Sequence, residues 1–216
     1  MNEIRHHLTD ALLLSYSAGT LPEAFGVVVA THVSLCDECR ARLESFEAVG
    51  GSLLEGAGAV EVSDDALEAT MALIAAAPQV LAPANVSKPG AVLPMPVQSY
   101  IGGDLDKVHW RSIGGGVRQA VLDTRGGESV RLLAIPGGAA MPDHGHRGME
   151  LTLVLQGAFR DEYARFGRGD VEVANEDVSH TPVAEEGVDC ICLAATDAPL
   201  RFKGVIPRIA QKFLGI

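Results

Sequence analysis

The chain has 216 residues, of which 47% are hydrophobic and 21% are charged, so it can bury a substantial core and is unlike a disordered polyelectrolyte. No stretch approaches the roughly 18 apolar residues needed to cross a bilayer, and the polar N-terminus leads into no apolar signal segment. We therefore expect a cytoplasmic protein without a membrane partner, whose four cysteines stay reduced and serve metal binding or redox chemistry rather than disulfides.

The net charge of −11 is unevenly divided along the chain. Residues 1–80 contain 12 acidic residues and 3 arginines, whereas residues 81–216 contain 16 acidic and 14 basic residues. An acidic N-terminal third repels nucleic acid and favours a basic protein partner. An acidic surface that serves only solubility is the alternative interpretation.

Residues 1–77 show the three- and four-residue spacing of apolar positions that is typical of helices. Four helices are predicted: one capped by Thr9, one with Pro22 in its first turn, one beginning near Cys36, and one over residues 66–77. This part of the chain is therefore expected to form a small all-α helical bundle.

The composition changes after this bundle. Five of the eleven prolines lie in residues 78–97, and because proline favours extended backbone, this stretch is predicted to be a stiff linker. Residues 98–196 contain short β-like runs separated by glycine and proline, which indicates an all-β sandwich or jelly roll, and residues 197–216 form a mildly basic, apolar tail. The predicted strands are 117–122, 130–135, 150–155, 158–164, 170–174 and 188–194.

Three side chains that are common zinc ligands, His32, Cys36 and Cys39, lie close together where the second helix gives way to the third. Cys36 and Cys39 share a helix face at its first turn, where the helix dipole is expected to lower the thiol pKa. Structural zinc takes four nitrogen or sulfur ligands, and His6 and His7 are the remaining candidates in this domain for the fourth. The alternatives for the Cys-x2-Cys pair are a redox dithiol or two buried cysteines.

The pattern His32-x3-Cys36-x2-Cys39 with an upstream histidine resembles the zinc-binding anti-sigma domain, and residues 5–13 are similar to the ChrR-type anti-sigma factors. This resemblance implies zinc bound by His7, His32, Cys36 and Cys39. It also implies a partner, an extracytoplasmic-function sigma factor that is held as a 1:1 heterodimer and kept from RNA polymerase. The acidic surplus fits such a partner, because these sigma factors present basic surfaces.

A sharper pattern lies in the β-rich part, where His144, His146 and Glu150 follow one another closely. Alternate residues of a strand project to the same side, so the two histidines share a face. His180, further along the chain, is expected to supply one more ligand. Three imidazoles and one carboxylate suit zinc, iron, manganese or nickel.

Residues 138–157, with the spacing Gly-x5-His-x-His-x3-Glu-x6-Gly, are similar to the first cupin motif, and cupins are jelly-roll barrels. The second cupin motif is kept only at Gly169 and His180. The resemblance implies one metal ion, zinc or else iron, manganese or nickel, held by His144, His146, Glu150 and His180. A metal-free cupin is the alternative. Residues 143–148 again resemble the ChrR-type anti-sigma factors, so the resemblance spans both domains.

Cys190 and Cys192 fall on one face of a predicted strand. Neighbours at this spacing are too rigidly placed to form a disulfide with each other easily. We interpret them as small buried hydrophobic residues, or as oxidisable neighbours of the metal if that face lines the barrel interior.

Two functions agree with these expectations. The first is an anti-sigma factor, not an enzyme, which sequesters its sigma factor and releases it on an oxidative signal, such as singlet oxygen, sensed through the metal-binding cupin. The second is a cupin metalloenzyme of the dioxygenase or isomerase type with a zinc-stabilised helical interaction domain. No substrate and no catalytic base beyond the ligands are evident in the sequence, which favours the first. The linker leaves open whether the barrel contacts the bundle or is only tethered to it.

Overall fold

The computed structural model describes residues 3–77 and 90–199 with their side chains, and residues 201–202 as backbone. Four helices come first: α1 (Asp10–Ser17), α2 (Glu23–Val33), α3 (Asp37–Glu55) and α4 (Ala66–Ala76). They confirm the predicted helical region, and the Thr9 hydroxyl caps α1 by accepting a hydrogen bond from the Leu12 amide. None of the helices in the described residues is both long and apolar enough to cross a membrane.

The second part begins with α5 (Met95–Ile101) and a 3₁₀ turn (Leu105–Lys107), and the described residues then form twelve short strands. These are β1 (Arg111–Gly114), β2 (Val117–Leu122), β3 (Ser129–Ile135), β4 (His144–Gly145), β5 (Glu150–Gln156), β6 (Ala158–Arg160), β7 (Arg165–Gly167), β8 (Val171–Ala174), β9 (Ser179–His180), β10 (Val183–Ala184), β11 (Cys190–Thr196) and β12 (Arg201–Phe202). They pair in a six-stranded sheet, β1-β2-β3-β11-β5-β8, and in two three-stranded sheets, β10-β6-β7 and β12-β4-β9. The paired strands are antiparallel, which confirms the predicted all-β class.

One predicted strand differs from the structure. Residues 158–164 form β6 and then a turn, because the Asp161 carboxylate accepts hydrogen bonds from the amides of Tyr163 and Ala164, each at 2.8 Å. Such a carboxylate-to-backbone turn competes with the strand ladder. The chain reverses there and returns as β7.

The segment predicted to be a linker is only partly described. Residues 78–89 lie outside the described residues, as does most of the predicted tail at 197–216. Residues 90–97 differ from a stiff linker, because Leu93 is fully buried and its amide donates a 2.9 Å hydrogen bond to Asp104. Apolar side chains between the prolines anchor this stretch to the β-rich part.

Helix α2 joins the two parts of the molecule. Seven of its eleven residues are buried, and it packs against α1, α3 and α5 as well as against strands β3, β5 and β11. Val28 of α2 and Leu193 of β11 belong to the same hydrophobic cluster. The helical bundle is therefore docked on the six-stranded sheet and not merely tethered to it.

Candidate metal centres

The first candidate centre lies at the junction of α2 and α3. One ligand atom from each of His7, His32, Cys36 and Cys39 lies within 4.8 Å of the others. His32 is in the last turn of α2, Cys36 caps α3, and Cys39 follows in its first turn. His7 enters from the segment before α1, with its Nδ1 atom 3.3 Å from the Cys36 sulfur and 3.7 Å from the Cys39 sulfur.

His6 takes a different position. Its ring lies against Phe166 of the β-rich part, with 4.4 Å between the ring centroids. Of the two histidines that the sequence left as candidates for the fourth ligand, the structure brings His7 to the thiols. The Nε2 atom of His7 faces the Glu38 carboxylate at 3.4 Å, an orientation that leaves Nδ1 directed at the sulfurs.

His32 has the environment of a metal ligand. It is fully buried, and its Nδ1–H donates a 2.9 Å hydrogen bond to the Gly169 carbonyl, which can only accept. Its Nε2 atom is buried without a hydrogen-bond partner among the described residues, which is costly unless a cation binds there. Burial lowers the pKa of His32 to about 4, so the imidazole is neutral and able to bind a metal.

The Cys39 thiol departs from the sequence-based expectation of a lowered pKa. Burial, chiefly, raises its pKa to about 11, against the lowering effect of a hydrogen bond from the backbone of Leu8. A nearby cation is therefore required to favour the Cys39 thiolate at neutral pH. The four candidate ligand atoms are two imidazole nitrogens, one of them the unpartnered His32 Nε2, and two sulfurs. This donor set fits tetrahedral zinc.

The second candidate centre is formed by His144, His146 and His180, whose ligand atoms also lie within 4.8 Å of one another. Strands β4 and β9 place His144 opposite His180, and their Nε2 atoms are 3.1 Å apart. The Nδ1–H of His144 donates to the Pro142 carbonyl at 2.8 Å, so its Nε2 atom carries the lone pair that faces His180. Both ring nitrogens of the buried His146 have no hydrogen-bond partner among the described residues.

Glu150 lies at the edge of this triad. One of its carboxylate oxygens is 3.6 Å from His146 Nδ1, and the other accepts a hydrogen bond from the Thr152 hydroxyl. The predicted four residues therefore face one region, in which the three imidazoles are the tighter group. Three converging imidazoles, of which His146 has no hydrogen-bond partner at either ring nitrogen among the described residues, fit a divalent metal bound by imidazole.

Two acidic residues that the sequence analysis did not single out hold His180. Its Nδ1 atom is 2.9 Å from a Glu172 oxygen and 3.2 Å from an Asp161 oxygen. Burial disfavours the charged imidazolium, but the two carboxylates outweigh it and raise the pKa of His180 to about 9. The same negative environment favours a metal cation at Nε2, in the manner of carboxylate–histidine–metal arrangements.

A cavity of about 80 Å³ adjoins this triad. It is lined by His144, Glu150, Glu172 and His180 on one side and by apolar residues such as Leu133 and Phe159 on another. Cys192 also lines it, whereas Cys190 is buried behind, with 3.6 Å between the two sulfurs. The hydrogen bond to Cys190 and burial raise the pKa of the Cys192 thiol, so Cys192 is a neutral neighbour of the centre.

Both parts of the chain thus contain a group of side chains that could hold a metal ion. Comparison with known proteins identifies the family to which a chain with this arrangement belongs. Residues 98–198 match the family described as the ChrR cupin-like domain. The whole chain is 59% identical over 213 residues to the anti-sigma-E factor ChrR of Cereibacter sphaeroides, and the alignment covers 99% of each chain.

One solved structure agrees with this family assignment. The crystal structure of Rhodobacter sphaeroides SigE in complex with the anti-sigma ChrR contains a chain that is 58% identical, with a TM-score of 0.79. That match covers 90% of this chain and 100% of the other. An RmlC-like cupin protein from Ralstonia eutropha is 25% identical over 48% of this chain and 71% of its own, with a TM-score of 0.41.

Proposed function

This chain belongs to the ChrR family of anti-sigma factors, and we propose that it sequesters an extracytoplasmic-function sigma factor as a 1:1 heterodimer in the cytoplasm. The solved relative at 58% identity is in complex with SigE, and its match covers nearly the whole of this chain. The strongly acidic N-terminal third agrees with a basic protein partner.

The observation that carries the proposal is helix α4. None of its residues is buried, although Leu67, Met71 and Ile74 form an apolar stripe along one face and are 75%, 57% and 62% exposed. A helix of this length is marginal in water on its own, so its apolar face needs a covering surface. The sigma factor is the occupant we assign, because the relative's structure contains one.

A pair of substitutions in α4 tests this assignment. Met71→Asp places a charge on the apolar stripe, and Ala69→Asp places the same charge on the opposite side of the same helix. We expect Met71→Asp to weaken sigma-factor binding by at least about 10-fold, since burying an unpaired charge is costly, and Ala69→Asp to change it by less than about 2-fold. Titration calorimetry measures both. Equal affinities for the two variants would rule out this face as the binding surface.

We propose further that His7, His32, Cys36 and Cys39 hold a structural zinc ion. The observations that support it are the nitrogen and sulfur donor set and the unpartnered His32 Nε2 atom. Zinc would supply the cation that the buried Cys39 thiolate needs. It would also fix the α2–α3 junction in a small domain.

For the cupin domain we propose a metal ion, zinc or else iron, manganese or nickel, held by His144, His146, Glu150 and His180, through which an oxidative signal such as singlet oxygen releases the sigma factor. The convergence of the three imidazoles and the adjoining cavity support it. A signal at this centre releases the partner only if it changes the relative stability of the bound and free conformations. The anti-sigma naming of the family favours a regulator over an enzyme.

Glu150→Gln tests the role of the cupin centre. We expect sigma-factor binding to stay within about 2-fold of the wild type, whereas induction of sigma-dependent transcription by singlet oxygen falls by about 10-fold, the loss typical when a metal site is weakened. Glu176→Gln, on the exposed loop after β8, is the matched control and should be induced normally. Normal induction of Glu150→Gln would refute a sensory role for this residue.

The cavity beside the triad supports one alternative, a cupin metalloenzyme of the dioxygenase or isomerase type. Turnover of a small molecule by the purified wild-type chain, lost in Glu150→Gln, would favour this alternative.

A further inference from the structure

We infer that the segment Gly169–Glu172 of the cupin domain links the two candidate metal centres, and that Asp170 is a positioning residue of the centre in the helical domain. The inference rests on the proposed function and deepens it, because it names the element through which the cupin would act on the zinc-binding bundle.

The first contact is made by the Gly169 carbonyl. It accepts the 2.9 Å hydrogen bond from His32 Nδ1 and so fixes the tautomer and the ring orientation that direct His32 Nε2 towards the thiols. Outer-shell partners of this kind orient metal-binding histidines in general. Here that partner comes from the other domain.

The second contact is made by Asp170, which is 4% exposed. One of its oxygens accepts hydrogen bonds from the amides of Arg5 and His6, at 2.6 and 3.0 Å, and the other accepts from the Gly167 amide at 2.8 Å. The residue that follows this pinned backbone is His7, the fourth member of the cluster. Asp170 therefore fixes the segment that delivers His7 to the thiols.

The backbone of the segment strengthens this contact. The Val171 amide donates a 3.2 Å hydrogen bond to the His6 carbonyl, so this segment binds both the amide and the carbonyl of His6. Gly169 has φ +93°, and a Cβ atom at this position would lie 2.6 Å from the Ile4 side chain. Glycine is thus required both by the backbone conformation and by the close approach of the N-terminal segment.

The third contact reaches the cupin centre. Glu172 follows Asp170 by two residues, and its carboxylate holds His180 Nδ1 at 2.9 Å. β8 is held in register by β5, where Glu172 lies opposite Thr152 and Val171 opposite Leu153. A change in the position of His180 is therefore transmitted to Glu172 and along a short, paired backbone to Asp170.

The test measures cobalt binding to the helical-domain centre in the full chain. Among the proposed ligands only this centre contains thiols, so thiolate-to-cobalt charge-transfer absorption reports its occupancy separately from the cupin centre. The four proteins compared are the wild type, Asp170→Asn, His146→Gln and the double variant, which form a double-mutant cycle. Asp177→Asn, an exposed acid on the loop after β8, is the matched control.

We expect Asp170→Asn to weaken cobalt binding at the thiol centre about 10-fold, with a changed charge-transfer band, whereas Asp177→Asn has no effect. His146→Gln, which removes a cupin ligand, should change the affinity of the thiol centre about 5-fold in the wild-type background and by less than 2-fold when Asp170 is replaced. Trp110 fluorescence verifies folding. The second variant is Asp170→Glu, which keeps the carboxylate acceptor but displaces it by one methylene group. We expect it, too, to weaken cobalt binding at the thiol centre.

The inference would be overturned if both Asp170 variants bound cobalt as tightly as the wild type. It would also be overturned if His146→Gln changed the cobalt affinity equally with and without Asp170, or if the thiols of the wild-type chain bound no cobalt. Sigma-factor binding, measured on the same samples, separates this result from the proposed function. Coupled centres in a chain that binds no sigma factor would support the link and refute the anti-sigma proposal. Uncoupled centres in a chain that does bind would refute the link alone.

Discussion

At the scale of single residues, His32 has the most consequential position. It lies in the last turn of the helix that joins the two parts, donates to the cupin backbone through Nδ1, and directs a buried Nε2 atom at two thiols. Its spacing to Cys36 and Cys39 was visible in the sequence because those three positions are close along the chain. Gly169, which orients it, was not predictable, because 137 positions separate the two residues.

The acidic residues around His180 were hidden for a related reason. Strand alternation in Val171–Ala174 would place Glu172 outside with its neighbours inside, whereas the structure buries Glu172 and leaves Val173 38% exposed. A carboxylate can occupy that position because His180 and the proposed cation offset its charge. The two carboxylates that hold the proposed ligand His180 could therefore not be predicted from strand alternation.

The buried His32 predicts a pH dependence of stability. Its pKa is about 4 in the folded chain and 6.5 when unperturbed, so the unfolded chain takes up a proton in this interval that the folded chain excludes. The free energy of unfolding should therefore fall as pH drops from 6.5 to about 4, by about 3 kcal/mol from this group, with no contribution above that window. Urea unfolding at a series of pH values, with a zinc chelator present, measures it. His32→Gln should show a smaller pH dependence over the same interval, and an identical one would contradict the assignment.

At the scale of elements, most helices and strands were predictable because their apolar periodicity is local. The start of α4 at Ala66 and the bounds of β2 agree with the predicted 66–77 and 117–122. Two differences arise from contacts that periodicity does not encode. Asp161 breaks a predicted strand by turning the backbone, and Leu93 anchors part of a stretch that its prolines predicted to be a stiff linker.

Helix α2 shows what a pattern of buried residues can reveal. Its sequence is apolar on nearly every side, which is the mark of a helix buried all round and not of one at the surface. The bundle alone could not cover it, and the six-stranded sheet does. The all-round apolar sequence of α2 therefore agrees with the docking of the two parts.

Because α2 belongs to both parts, it predicts one cooperative unfolding transition. Val28→Ala leaves a cavity at a fully buried position and should reduce the free energy of unfolding by about 2 kcal/mol. Far-ultraviolet circular dichroism follows the helices and Trp110 fluorescence follows the β-rich part, and both midpoints should shift to the same lower urea concentration. Leu14→Ala, at a half-exposed position of α1, is the control and should shift them little. A shift confined to one probe would show that the two parts unfold independently.

At the scale of the whole molecule, the two candidate centres lie in two parts of the chain that share one hydrophobic cluster. The thiol-containing centre lies in the acidic helical part, which also carries the exposed helix α4, and the histidine-rich centre adjoins a cavity in the β-rich part. The segment after β7 contacts residues of both. This arrangement suits a regulator in which the helical part binds a partner and the cupin domain receives a signal.

The most direct test of this account is the metal content of the purified complex with the sigma factor. Elemental analysis against protein concentration should give two metal ions for each 1:1 complex. A Cys36→Ser, Cys39→Ser variant should retain one metal ion per chain and should no longer bind the sigma factor. Fewer than two ions in the wild-type complex, or a variant that retains both the second ion and the partner, would contradict the account.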